Sequence, residues 1–178
     1  FIMILFIIGN GIIIDNLGEY YLFGKIELGV FGILLTFLSI SALTNSLNFI
    51  DGSDGLCAGI ILISFLTMII LNIQILNEYW TFFYIIIIFL LIFLLFNLSN
   101  SNFKIFLGDS GSTFLGFILS VSTIHFTSSD LQFFHPSLVP WCVCLPIYDL
   151  LRVIFIRIKN NKNPFLPDKN HFHHILIN

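Results

Sequence analysis

Long apolar runs separated by short polar loops dominate this chain. A bilayer crossing takes about 20 mostly apolar residues. Six stretches are candidates: residues 1–14, 28–47, 56–75, 80–96, 112–126 and 138–158. The first is short because the chain starts inside it. The fifth is the least sharply bounded. These stretches are hydrophobic on every side rather than on one helical stripe, which marks membrane spans and not amphipathic surface helices. No internal repeat is visible. The pattern predicts an all-α integral membrane protein, a polytopic bundle of about six transmembrane helices. It forms a single membrane domain over residues 1–178.

Composition sharpens this reading. The chain is 57% hydrophobic and 10% charged, against about 25% charged residues in soluble domains. So little charge does not cover a water-facing surface, and lipid must meet most of it. The net charge of -3 gives no sign of nucleic-acid binding. Cys57, Cys142 and Cys144 lie in apolar runs without metal-type spacing, and an odd count suggests no disulfide framework. Phe1 opens the chain inside an apolar run with no basic leader, so a secretory signal is not expected. A piece of a longer chain is.

Basic residues gather on the cytoplasmic side of membrane proteins. Arg152, Arg157, Lys159, Lys162 and Lys169 lie at or beyond the end of the sixth stretch, which assigns that end to the cytoplasm. Counting back, the loops at 48–55 and at 100–111, with Lys104, fall on the same side. Six of the seven basic residues then share one face, and Lys25 alone lies opposite. An even number of spans separates Asp51 and Asp54 from Asp109, and Asp109 from the histidine-rich tail. All three groups can therefore meet at one membrane surface.

Four motifs carry candidate chemistry. The first is Asn45-Ser-Leu-Asn48-Phe-Ile-Asp51-Gly-Ser-Asp54-Gly55. Its glycines permit tight turns and close ligand approach, and Asp54 is placed to cap the third span. The plain alternative is a polar turn with a helix cap. The second, Phe106-Leu-Gly108-Asp109-Ser-Gly111-Ser112, repeats the device of a glycine-flanked aspartate opening a span. A helix N-terminus there is a natural anion site. The third is Asp149 inside the sixth stretch with Arg152 on the same helical face. Ionisable groups inside a span are functional candidates, or the two pair to set the helix in its bundle. The fourth is Asn163-Pro-Phe-Leu-Pro167-Asp168-Lys-Asn-His171-Phe-His173-His174. Neutral histidines ligate metal and protonated ones grip phosphate; a solvated basic loop is the plain reading. His125 and His135 fall on the opposite face and read as incidental.

In this order and spacing, the four motifs resemble those of the polyprenyl-phosphate UDP-N-acetylhexosamine phosphotransferases, the WecA- and MraY-like superfamily. The resemblance covers nearly the whole chain. The His171-x-His173-His174 form is similar to the branch that starts surface polysaccharides such as enterobacterial common antigen, lipopolysaccharide O-antigen or teichoic-acid linkers. The branch that makes the first peptidoglycan lipid intermediate has another histidine arrangement. The family also carries an aspartate pair in a loop before the span at 1–14, and further spans after the histidine loop; neither falls within this sequence.

The resemblance implies transfer of N-acetylhexosamine phosphate, first among them N-acetylglucosamine phosphate, from a UDP-sugar to polyprenyl (undecaprenyl) phosphate, with release of UMP. It implies a multi-pass protein of the bacterial cytoplasmic membrane, with its site on the cytoplasmic side and homodimerisation left open. Two anions must meet, so charge neutralisation and positioning dominate. Mg²⁺ fits, with Mn²⁺ as a substitute, because a hard cation takes one or two carboxylates plus substrate phosphates. The expected catalytic residues are Asp51, Asp54, Asp109, His171, His173 and His174, with Asp109 as the metal carboxylate. Asn45, Asn48, Lys104, Asp149 and Arg152 are the expected substrate-binding residues. Direct displacement and a covalent intermediate both fit. The rival readings are an ion-coupled transporter, suggested by Asp149, and a non-catalytic membrane fragment, suggested by the aspartate pair outside the sequence.

Overall fold

The computed structural model describes residues 2–99, 102–128, 131 and 133–159. Its helices are α1 (Ile2–Gly9), α2 (Val30–Ile50), α3 (Leu56–Leu71), α4 (Gln74–Asn97), α5 (Gly108–Thr127), α6 (Val139–Cys142) and α7 (Cys144–Lys159). A single 3₁₀ turn, Pro136–Leu138, precedes α6. The core lies where α2, α3, α4 and α5 meet, around Leu47, Ile61, Phe65, Phe83, Leu90 and Leu119. Side chains such as Phe31 and Leu34 on α2, and Ile85 and Phe89 on α4, point outward. Apolar residues on both faces explain why these runs show no helical stripe.

Val30–Ile50 and Asn77–Asn97 are each long and apolar enough to cross a membrane. Pro136–Cys142 and Cys144–Lys159 make a third crossing if the pair, bent by 73°, is one span. The expected six is more than length and composition show among the described residues. α3 has 16 residues, about 24 Å of helix against a hydrocarbon core of about 30 Å. α1 has only 8. α5 has the length but carries a serine- and threonine-rich, largely buried face. These hydroxyls return to the helix: Ser122 Oγ donates to Ile118 O at 2.7 Å and Thr127 Oγ1 to Thr123 O at 2.8 Å. Thr36 on α2 and Ser64 on α3 do the same, to Gly32 O at 2.7 Å and Ile60 O at 3.0 Å.

The predicted sixth helix is broken at Val143, whose φ/ψ of -121°/24° is not helical. Pro146, in the first turn of α7, has no N–H to donate back to α6, and the chain bends there. The third helix stops at Leu71 because Asn72 is extended, at φ -152° and ψ 103°. The fifth starts at Gly108, earlier than its apolar run, because Gly108 takes a left-handed φ of 67° that turns the chain into the helix.

The all-α expectation also needs correction between α1 and α2. Residues β1 (Asn16–Tyr20) and β2 (Gly24–Glu27) pair as an antiparallel hairpin, closed at its base by Leu28 N–H donating to Asp15 O at 2.9 Å. Tyr20 and Phe23 beside a turn glycine favour strands over a helical link. His135 is not incidental to this hairpin. Its Nε2 lies 3.2 Å from Glu19 O, and a Cβ on Gly18 would run into its ring.

Close approach of α5 to α2 sets the other end of the bundle. A Cβ on Gly116 would stand 3.1 Å from Thr44 Cα and 3.4 Å from Leu47 Cδ1, the small-residue contact that lets membrane helices pack backbone to backbone. Gly116→Val should therefore destabilise the protein by about 1–3 kcal/mol, the usual scale of overpacking. Thermal unfolding in detergent measures this. Gly59→Ala, where a Cβ meets nothing within 4 Å, should leave stability equal or raised, since alanine favours helix over glycine.

Candidate active site

Asp51, Asp54 and Asp109 reach one cleft of about 240 Å³, between the C-terminal end of α2 and the N-terminal ends of α3 and α5. Asp51 closes α2, its N–H donating to the carbonyls of Leu47 and Asn48. The chain then turns tightly, with Gly52 N–H bonding Ile50 O at 2.7 Å. It enters α3 through Gly55, whose φ is +73°. A Cβ there would crowd Leu98 Cδ2 at 2.7 Å, but it is the left-handed conformation that demands glycine. Asp109 lies in the first turn of α5, where the helix dipole favours an anion.

Neither aspartate caps a helix. No side-chain cap is present at the start of α3 or of α5, so the capping role expected for Asp54 is not what the structure uses. Asp54 Oδ2 instead accepts from Lys104 Nζ at 2.6 Å, and that ammonium lies 5.3 Å from the centre of the Phe106 ring. The pair ties the Asp54 loop to the segment leading into Asp109.

Two like charges facing one cleft have an electrostatic consequence. The Asp51 carboxyl titrates above the ordinary aspartate range, first because it is half-buried and then because the Asp109 carboxylate opposes its ionisation. A cation between them would relieve that repulsion. Among the described residues no group of three or more His, Cys, Asp or Glu gathers as a closed metal cage. An open pair of carboxylates nevertheless suits Mg²⁺, which keeps waters and takes its remaining ligands from substrate phosphates.

Asp109 also borders a larger cavity of about 650 Å³ between α1, α2 and α5. Asn45 and Thr113 line it with polar atoms, and Met3, Phe114 and Phe117 supply apolar walls. The Asn45 amide donates to Ser41 O at 2.8 Å, and the Asn48 amide lies 3.4 Å from Thr113 Oγ1. The hydroxyls of Ser41 and Thr44 are buried here with no partner among the described residues.

Asp149 and Arg152 pair with each other on α7, Arg152 Nη2 donating to Asp149 Oδ1 at 2.9 Å. Neither lines the aspartate cleft or the cavity beside it. His171, His173 and His174 lie outside the described residues. Sequence reasoning missed Asn97, which borders the cleft and is 4% exposed. The available signal was a lone asparagine closing the apolar run of α4. The asparagine- and serine-rich stretch that follows it hid that signal.

A family model described as glycosyl transferase family 4 matches residues 1–127. The chain belongs to glycosyl transferase family 4. Among curated relatives, it is 31% identical over 170 residues to the undecaprenyl-phosphate alpha-N-acetylglucosaminyl 1-phosphate transferase of Yersinia pestis, covering 94% of this chain and 47% of that protein. It is 32% identical over 162 residues to the Escherichia coli K12 protein of the same name, covering 88% and 44%. It is 32% identical over 176 residues to the probable undecaprenyl-phosphate N-acetylglucosaminyl 1-phosphate transferase of Bacillus subtilis, covering 96% and 48%. The chain thus spans about half the length of these relatives. The residues matched to glycosyl transferase family 4 contain the whole aspartate cleft. The Asp149–Arg152 pair lies beyond them.

Proposed function

We propose that the full-length protein transfers N-acetylhexosamine phosphate, N-acetylglucosamine phosphate first among the candidates, from a UDP-sugar to a polyprenyl phosphate, releasing UMP. The observation that carries this reading is the convergence of Asp51, Asp54 and Asp109 on one cleft. The names of the relatives supply the lipid acceptor and the sugar. The lipid phosphate oxygen attacks the β-phosphorus, the bond to the UMP oxygen breaks, and UMP carries the electron pair away.

In this reading Asp109 and Asp51 present the charge that holds a divalent cation, Mg²⁺ or Mn²⁺, which when bound neutralises phosphate charge. Asp54 and Asn48 border the nucleotide–pyrophosphate side. Lys104, held at Asp54, would receive a phosphate when that pair opens. His171, His173 and His174 would add phosphate contacts from the tail; Arg152, paired with Asp149 away from the cleft, would join them only on leaving that pair. Six crossings, a cleft facing the cytoplasm and residence in the bacterial cytoplasmic membrane complete the proposal. A role in starting a surface polysaccharide follows from the histidine form. A carrier would need a polar path through the bundle; the buried Thr36 and Ser64 hydroxyls that bond their own helix offer none.

The test is a membrane assay of the full-length protein with undecaprenyl phosphate, Mg²⁺ and a panel of UDP-sugars. Transfer from UDP-N-acetylglucosamine with release of UMP is expected. Exclusive use of UDP-N-acetylmuramoyl-pentapeptide would overturn the donor assignment, and transfer from no UDP-sugar would overturn the enzyme reading.

A further inference from the structure

Asn97 ends α4 and is almost fully buried, yet its side chain reaches two distant pieces of backbone. Its Oδ1 accepts from Gly55 N–H at 2.5 Å, and its Nδ2 donates to Ile105 O at 2.8 Å. Gly55 directly follows Asp54, and Ile105 directly follows Lys104. The amide therefore joins the same two segments that the Asp54–Lys104 pair joins.

The two links are not equivalent. The Lys104 and Asp54 side chains are 28% and 43% exposed, and exposed ion pairs contribute little because water screens them. The Asn97 side chain is itself buried and its two bonds are part-buried, so water replaces them less readily, and removing the amide would leave the Gly55 N–H and the Ile105 carbonyl without that partner. α3 also lacks a side-chain cap of its own. Asn97 satisfies the backbone N–H at its N-cap from another helix, the task a glutamate performs in a capping box.

We infer that Asn97 is a positioning residue of the transfer reaction: its amide fixes the spacing between the Asp51–Gly55 loop and the segment that carries Asp109. This rests on the function proposed above. Both polar ends of the amide are occupied by backbone, so Asn97 acts through the aspartates it holds and not by touching substrate. Displacing a reacting group by about 1 Å costs on the order of 10²-fold in rate, so a loosened cleft should fail in turnover before it fails in binding.

The experiment compares the full-length wild type with Asn97→Leu and Asn97→Asp, using UDP-N-acetylglucosamine, undecaprenyl phosphate and Mg²⁺. Asn97→Leu should lower kcat about 10²-fold, with KM for the UDP-sugar within about threefold. Asn97→Asp keeps an acceptor for Gly55 N–H but lacks the donor for Ile105 O until its carboxyl is protonated. Its kcat relative to wild type should therefore rise as pH falls. Wild-type kcat in Asn97→Leu, or a loss residing wholly in KM, overturns the inference. If Asn97→Leu does not fold, the pH series of Asn97→Asp decides, and a flat ratio overturns it. Failure of these signatures in an active wild type removes the positioning role alone; a wild type that transfers nothing removes the function with it.

Discussion

Asp109→Asn in the full-length protein should lower Mg²⁺-dependent transfer by about 10³-fold, the scale of losing a group that stabilises charge on a transferring phosphate. The amide keeps the shape of the carboxylate and its place in the first turn of α5. It loses the charge that holds a hard cation. Asp109 is the aspartate that borders both the cleft and the larger cavity, so in the proposed reaction a substrate phosphate approaching from either side would meet it. A second readout separates a metal role from general damage. Mg²⁺ should raise the unfolding temperature of the wild type, as any ligand of the folded state does, and raise that of Asp109→Asn much less. Near-wild-type turnover by Asp109→Asn at saturating Mg²⁺ would remove Asp109 from the metal site.

The helical core was legible because hydrophobicity runs along every face of α2 and α4, which marks a buried or membrane helix, and a chain only 10% charged points to the membrane. The hairpin was not. Residues 15–28 alternate too weakly to announce strands, and their pairing is anchored by His135, more than a hundred positions away. Helix ends were misplaced where single residues decide them. Gly108 pulls α5 forward so that Asp109 sits inside the helix, and Asn72 cuts α3 short of its apolar run.

The site was legible in outline for a different reason. Loop placement by charge brought Asp51, Asp54 and Asp109 to one face, and they do share one cleft. The sequence could not say that Asp54 prefers Lys104 to the α3 N-terminus, because that choice depends on a loop 50 residues away. It could not mark Asn97 either: an asparagine after an apolar run reads as a helix end, and only the fold reveals Gly55 and Ile105 within its reach.

Asp51→Asn should change stability and activity in opposite directions. The fold raises the Asp51 pKa, through burial first and the Asp109 charge second, so it favours the neutral carboxyl. The stability this supplies is complete below the ordinary aspartate pKa and is lost as pH rises through the raised value. At neutral pH the ionised carboxylate is therefore a burden on the metal-free protein, and the uncharged amide removes it. In Mg²⁺-free detergent at pH 7, Asp51→Asn should unfold on the order of 2–4 °C above wild type, a modest gain for a chain of this size. The gap should close as pH falls into the aspartate range and the wild-type carboxyl takes up its proton. Transfer should drop about 10²-fold or more in the same variant, because the charge that burdens the empty cleft is what a cation and its phosphates require. Added Mg²⁺ should accordingly stabilise the wild type more than the variant and narrow the difference at pH 7. A variant less stable than wild type at every pH would show that the Asp51 carboxylate is satisfied in the folded cleft, and the like-charge account of the site would fall.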